Sequence, residues 1–313
     1  MPDGHIIKPS PLSNLGNSLV SRFNRLGSMG DMEKAISSLE DAERLRPDGH
    51  ADKPGQLNNL GSSLLSCFKS LGEMGDIEKA ILSLEDAVRL TPDGHKDKQC
   101  RLSNLGDSLL SRFERLGSIG DMEKAISSLE DAERLTPVGH ADKPGRLNTL
   151  GNSLLSHFEH LGETGDMEKA ISSLEDVVQL TPDGRADKPG FLSDLGNSLW
   201  RRFEHLGEMG DIEKAISSLE DAVQLMLDGH AAKPGFLSHL GNLLWSCFKH
   251  LREMGDIKKA ILSLEDGVRV VPDRCADKPI ILNNLANVLL SRFEHLGEVG
   301  DMEKAISGLE DGV

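Results

Sequence analysis

The chain repeats itself every 45 residues, and this period limits its fold more than any other feature of the sequence. Leu12, Leu57, Leu102, Leu147, Leu192, Leu237 and Leu282 follow one another at that step without a slip, as do the aspartates from Asp31 to Asp301 and the lysines from Lys34 to Lys304. Of the 32 glycines, 29 fall in five columns, represented by Gly55, Gly61, Gly72, Gly75 and Gly94. Seven of the nine phenylalanines fill one column, from Phe23 to Phe293. Self-similarity at a fixed period of tens of residues marks a tandem array, in which each unit packs only on its neighbours. Length alone suggests two domains of roughly 150 residues; the period replaces them with a single array over residues 1–313, seven units in all.

The unit beginning at Lys53 predicts two helices. Pro54 suits the first turn of a helix, where a missing N–H costs nothing. Leu57, Leu60, Leu64, Phe68 and Leu71 then recur at three- and four-residue steps, the apolar stripe of an amphipathic helix. Gly72 and Gly75 punctuate it, and Asp76 is placed to N-cap a second helix. Ile77, Ala80, Ile81, Leu84, Ala87, Val88 and Leu90 give that helix its own stripe, and Thr91-Pro92-Asp93-Gly94 stops it. Each unit is an antiparallel hairpin, with helix pairs expected at about 9–45, 54–90, 99–135, 144–180, 189–225, 234–270 and 279–313. A hairpin leaves a second apolar face that only the next hairpin can bury. The expected fold class is therefore all-α, an α-solenoid of stacked antiparallel helical hairpins. Residues 2–5 match the inter-repeat loop at Pro92–His95, and the chain closes inside the second helix of the seventh unit. The last unit thus reads as truncated, and the uncapped ends as open to self-association.

Composition removes several functional classes. Asp and Glu number 51 against 35 Lys and Arg, a formal charge of −16. A chain this acidic lacks the cationic footprint that nucleic acid or an anionic membrane surface requires. No run approaches the ~18 apolar residues of a membrane span, and Met1-Pro2-Asp3-Gly4-His5 has neither a basic nor an apolar leader segment. Cys67, Cys100, Cys247 and Cys275 stand at irregular spacings with no C-x-x-C pair, unlike a disulfide framework or a zinc module. These features lead to the expectation of a cytoplasmic protein.

Candidate chemistry fails on geometry. The phosphate, dinucleotide, zincin and hydrolase motifs are all missing from the sequence. Histidines recur in the loops (His5, His50, His95, His140, His230) and at the end of the first helix (His160, His205, His250, His295), singly within a unit, so they read as repeated surface residues. Cys67 and Cys247 share a column with Arg22, Arg112, His157, Arg202 and Arg292, an alternation that reads as a tolerant surface position without an activating base. The recurrent Glu85-Asp86 pair points in two directions from one helix and reads as a solvated face. The lysines from Lys53 to Lys278 before each first helix read as loop lysines, at most framing a groove. No catalytic residue, metal or cofactor is expected.

At this point the residues carry a resemblance. Leu57-x₂-Leu60-Gly61-x₂-Leu64, then Ala80-x₃-Leu84, Ala87 and Pro92, is similar to the tetratricopeptide pattern. Gly61 and Ala80 stand where two helix backbones approach closely. The period is 45 rather than the family's 34; alignment of both ends puts seven extra residues in the first helix and four in the loop. Long-helix repeats of this type resemble those of kinesin light chains, and the wording of the repeat resembles arrays in basidiomycete fungal proteins. Such arrays often precede a caspase-like CHAT domain or follow a STAND-type NTPase. The resemblance implies a right-handed superhelix whose first helices line a concave, partner-binding groove.

On the first helix, asparagine recurs in two columns: Asn14, Asn59, Asn104 and Asn284, and Asn17, Asn152, Asn197, Asn242 and Asn287. Helix propensity does not account for that, while an amide that both donates and accepts suits a ladder holding a peptide backbone. Lys and Arg are almost absent from the asparagine and serine columns of this helix apart from Arg201, so a carboxylate clamp is not indicated. Units five and six are the more apolar, with Phe191, Trp200, Phe236 and Trp245, and aromatic anchors dominate interfaces. The expected function is a non-enzymatic scaffold that binds a protein or peptide in its groove, with Trp200 and Trp245 among the contacts. The alternative is the sensor or regulatory array of a larger signalling protein, with a CHAT or NTPase domain outside this chain.

Overall fold

Helical periodicity in the sequence becomes helix in space. A computed structural model describes residues 9–47, 49–227, 229–272 and 275–311, and every regular element among them is an α-helix. The residues on which the reading of open ends rests, 2–5 and 312–313, lie outside the described residues, as does His5. The chain divides into two compact units. The first, Met1–Glu163, carries α1 (Pro9–Leu26), α2 (Met29–Arg44), α3 (Lys53–Leu71), α4 (Met74–Arg89), α5 (Lys98–Leu116), α6 (Ile119–Leu135) and α7 (Lys143–Leu161). The second, Thr164–Val313, carries α8 (Thr164–Leu180), α9 (Lys188–Leu206), α10 (Met209–Leu225), α11 (Lys233–Leu251), α12 (Met254–Val270), α13 (Lys278–Leu296) and α14 (Val299–Asp311).

Within the first unit α1 pairs with α2, α3 with α4 and α5 with α6, and α2 packs on α3, α4 on α5 and α6 on α7. The second unit follows the same rule: α9 pairs with α10, α11 with α12 and α13 with α14, while α8 packs on α9, α10 on α11 and α12 on α13. First helices of successive hairpins also touch, α1 with α3, α3 with α5 and α11 with α13. The all-α architecture of stacked hairpins read from the repeat is thus the one the chain adopts. One core in the first unit runs through Leu39, Leu60, Leu64, Phe68, Ile77, Leu84, Leu105 and Leu109, drawn from α2 to α5. Hairpin and neighbour bury each other.

The ends of the helices follow local chemistry. Pro54 sits in the first turn of α3, and Gly72 closes it at φ +75° with its N–H donating to the Phe68 carbonyl at 2.7 Å. That left-handed conformation is open to glycine and strained for most other residues. Arg252 adopts it at the same point of the sixth repeat, φ +60°. Leu71 fits the stripe by spacing, yet it is 52% exposed. It is the last residue before the turn, where the chain has left the interface.

Gly61 explains how closely the two helices of a hairpin approach. A Cβ there would lie 2.5 Å from Leu84 Cγ and 3.1 Å from the Ala80 carbonyl oxygen. Gly16 meets Leu39, Gly106 meets Leu129 and Gly241 meets Leu264 in the same way, at 2.6–2.7 Å. The close contact expected of Gly61 and Ala80 is therefore a knob of leucine seated on bare backbone.

Two expectations are corrected here. Asp76 does not cap α4: Glu73 is the N-cap residue, no side-chain cap bond forms, and Asp76 is the third residue of the helix. Its column instead faces the first helix. Asp121 accepts from Arg112 Nε at 2.7 Å and Nη2 at 2.6 Å, and Asp211 accepts from Arg202 twice at 2.7 Å. The same fork joins Arg22 to Asp31 and Arg292 to Asp301. The Cys67 and Cys247 column is thus no tolerant surface position. Both thiols are buried, and Cys247 Sγ donates to Asp256 Oδ2 at 3.2 Å. Burial, then the neighbouring Asp76 or Asp256 carboxylate, pushes each thiol up to about 12, so both stay protonated and unreactive at neutral pH. The column holds the two helices of a hairpin together, by an ion pair in some units and by a thiol in others.

Candidate functional site

Only polar groups that the array leaves over can meet a partner, and the array uses many of them. Of the lysines that open the first helices, Lys53, Lys143 and Lys188 are buried, and Lys98, Lys233 and Lys278 are half-buried rather than solvated. Lys98 Nζ donates to the Val88 and Thr91 carbonyls at 2.9 and 2.8 Å, and Lys53 Nζ to the Glu43 and Arg46 carbonyls at 2.9 and 3.0 Å. Lys143 and Lys188 do the same to the ends of α6 and α8. A cation at the C-terminus of a helix satisfies carbonyls that have no intrahelical partner and opposes the helix dipole. These lysines fasten each second helix to the next first helix and do not frame a groove.

The column of Gln56, Arg101, Arg146, Phe191, Phe236 and Ile281, which varies from unit to unit, is buried at all but the two half-buried phenylalanines. Arg101 and Arg146 donate to Thr91 Oγ1 and Thr136 Oγ1 of the preceding hairpin, and Gln56 Nε2 donates to Ser13 Oγ at 2.6 Å. The loop histidines have a structural task too. His50, His95, His140 and His230 each accept, through Nδ1, the backbone N–H two residues on, at 3.1–3.3 Å. His160, His250 and His295 at the helix ends set an edge against Phe113, Phe203 and Phe248 of the preceding repeat, at centroid separations of 5.0–5.3 Å.

The asparagines divide by column. Asn104 Nδ2 donates to Asn58 Oδ1 at 2.9 Å, and Asn284 Nδ2 to Ser238 Oγ at 3.1 Å, each reaching back 46 residues. In the fifth and sixth repeats Ser193 Oγ and His239 Nδ1 take those two places, 3.3 Å apart. Much of the first column therefore rivets successive first helices together. Asn14, Asn17 and Asn59 line a polar hollow of about 510 Å³ in the first unit, with Arg46, Gln56, Arg101, Asp52 and Asp97. Asn152 on α7 and Asn287 on α13 are exposed.

The second column behaves differently in the second unit. Asn197 and Trp200 on α9 meet His239, Asn242 and Leu243 on α11, with Gly196 and Leu219 behind them, around a hollow of about 210 Å³. Trp200 packs its ring against the core of Phe203, Ile212 and Cys247. Its Nε1 and the Asn242 Oδ1 are enclosed and have no hydrogen-bond partner among the described residues. Such groups cost about 1–3 kcal/mol each when left unsatisfied. His239 is exposed on one side, and desolvation by the groove wall on the other holds it below the usual imidazole value, against the pull of the nearby Asp194 carboxylate. Trp245 lies outside this hollow, half-buried, with Lys249 Nζ 4.2 Å from the centre of its ring. Leu219 comes from a second helix, and one-helix periodicity gives no sign of it.

No protein-family model matches the chain, and no curated protein matches it. Solved structures do. A tetratricopeptide repeat protein from Parabacteroides merdae is 14% identical with a TM-score of 0.54, over 96% of this chain and 99% of that one. BtubC (BKLC) from P. vanneervenii is 17% identical with a TM-score of 0.53, over 75% of this chain and 89% of that one. The nearly identical TPR-like kinesin light chain repeats of Podosopora anserina are 15% identical with a TM-score of 0.51, over 70% of this chain and 97% of theirs. Identities this low speak to fold alone. Stacked hairpins, glycine-seated leucines and these likenesses together give the chain the tetratricopeptide-repeat fold, in a long-helix form with units of 45 residues.

Proposed function

We propose that the chain is a non-enzymatic protein-interaction scaffold whose seven units act as one array, holding an extended peptide against the face formed by its first helices. The observation that carries this is the hollow at Asn197, Trp200, His239 and Asn242, with one enclosed donor and one enclosed acceptor unused by the fold. A peptide main chain offers the complementary pair at every residue. The cations of the first helices support the same reading, because most are consumed: the lysines by helix ends, Arg112, Arg202 and Arg292 by aspartates. Around the second-unit hollow the wall is made of amides, imidazole, indole and leucine carbon, and a main chain suits it as a ligand.

The test is a selection from a random peptide display library on the immobilised chain and on an Asn197→Ala/Asn242→Ala variant with an unchanged circular dichroism spectrum. Peptides should enrich on the native chain and be lost on the variant. Equal enrichment on both, or none on either, overturns the proposal.

A further inference from the structure

The hollow in the second unit has a size and a lining that select what can enter it, and this step rests on the groove reading above. Its volume, about 210 Å³, corresponds to about seven water-sized volumes of roughly 30 Å³. Four side-chain carbons and one peptide group fill that space; an indole with its main chain exceeds it. The lining contains no Lys, Arg, Asp or Glu, and its apolar part is Leu219, Leu243, Gly196 and the Trp200 ring. Arg201 stands over the Trp200 ring, its guanidinium carbon 5.2 Å from the ring centre, but is not part of the lining. A carboxylate placed in the hollow would lose its water without a cation on the wall, and an ammonium without an anion there. Asp194, next to His239 but outside the lining, adds repulsion for an acidic guest.

We propose that this hollow is an anchor pocket for one aliphatic side chain, of leucine, isoleucine or methionine size, in an uncharged stretch of extended peptide. Both polar atoms are enclosed in the unliganded fold, so the guest engages them as their side chains turn toward the hollow: Trp200 Nε1 then donates to a main-chain carbonyl of the guest and Asn242 Oδ1 accepts a main-chain N–H. Asn197 stands on the same wall, one turn before Trp200, and closes the pocket on that side. The side chain gives the position its selectivity and the two polar atoms give it direction.

The chain's own fluorescence can report the pocket, because it has two tryptophans and no tyrosine. A Trp245→Phe variant leaves Trp200 as the only indole. Titration with N-acetyl-L-leucine N-methylamide should shift Trp200 emission saturably. The alanine counterpart should bind about 50-fold more weakly, as expected for three lost carbons, and the glutamate counterpart more weakly still. Asn242→Ala should weaken the leucine compound about tenfold with helicity intact. No response to the leucine compound, or a glutamate compound that binds as well, overturns the anchor. The display selection separates this failure from that of the groove. Peptides that depend on Asn197 and Asn242 yet share an acidic residue, or share none, keep the groove and remove the anchor; an aliphatic residue at one fixed position supports both.

Discussion

Replacing Gly61 by alanine tests whether helix propensity or backbone contact governs the hairpin. Propensity favours alanine over glycine in a helix by about 1 kcal/mol. Geometry opposes it. The new Cβ would stand 2.5 Å from Leu84 Cγ, where carbon atoms rest at about 3.5–4.0 Å. Leu84 is fully buried and cannot swing away, and the Ala80 carbonyl at 3.1 Å belongs to a helix backbone. Overpacking of this kind costs up to about 3 kcal/mol, which leaves a net loss of roughly 2 kcal/mol. In a repeat array the damage falls on the unit and its neighbours, so native-state hydrogen exchange is the assay. Core amides of α3 and α4 should exchange about 30-fold faster, at ~1.4 kcal/mol per tenfold, with α11 to α14 unchanged. Gly190→Ala is the control: nothing lies within 4 Å of its would-be Cβ and its φ is ordinary, so it should stabilise by roughly 0.5 kcal/mol. Slower exchange in Gly61→Ala would refute the reasoning, because propensity would then have outweighed contact.

Three further outcomes are expected. Arg112→Ala, which strands the buried Asp121, should destabilise the third hairpin by roughly 2 kcal/mol in urea titration. Arg112→Cys should cost less, because Cys67 and Cys247 already serve that position. In a thiol-labelling time course at neutral pH, Cys100, which is exposed, should react first, with Cys67 and Cys247 reacting only when the fold opens. The Arg292 hydrogen bond, against the effect of burial, holds Asp301 below the usual carboxylate value. Its contribution is therefore complete above the ordinary carboxylate range and lost as pH falls through the depressed value. Arg292→Met should flatten the acid limb of the thermal midpoint of α13 and α14; an unchanged limb would show that the pair is not its source.

The legibility of the chain differs from residue to residue. Leu57, Leu60, Leu64 and Phe68 declare a helix because burial on one face imposes a period, and Gly72 declares its end because a left-handed turn needs no side chain. Gly61 is readable as a close approach for the same reason: the fold demands a missing atom there. Lys98, Arg112 and Cys67 read as surface in the sequence, since a charged or variable residue normally is, and the structure buries or pairs them. Their partners lie on another helix or across a loop, and spacing within one helix does not reveal them.

The candidate site shows the same division. The asparagine columns and the two tryptophans are visible in the sequence, including the bias of units five and six. Which asparagines are spent is not. Asn104 is tied to Asn58 because stacking brings residues 46 apart into register, whereas Asn242 keeps an enclosed oxygen without a partner. The sequence by itself determined the repeat, the hairpin and the necessity of stacking, because each follows from local periodicity and the burial of apolar stripes. The tertiary structure alone decided which polar groups the stack consumes and which it leaves at Trp200 and Asn242, because hydrogen bonds between repeats depend on distances that no single helix sets.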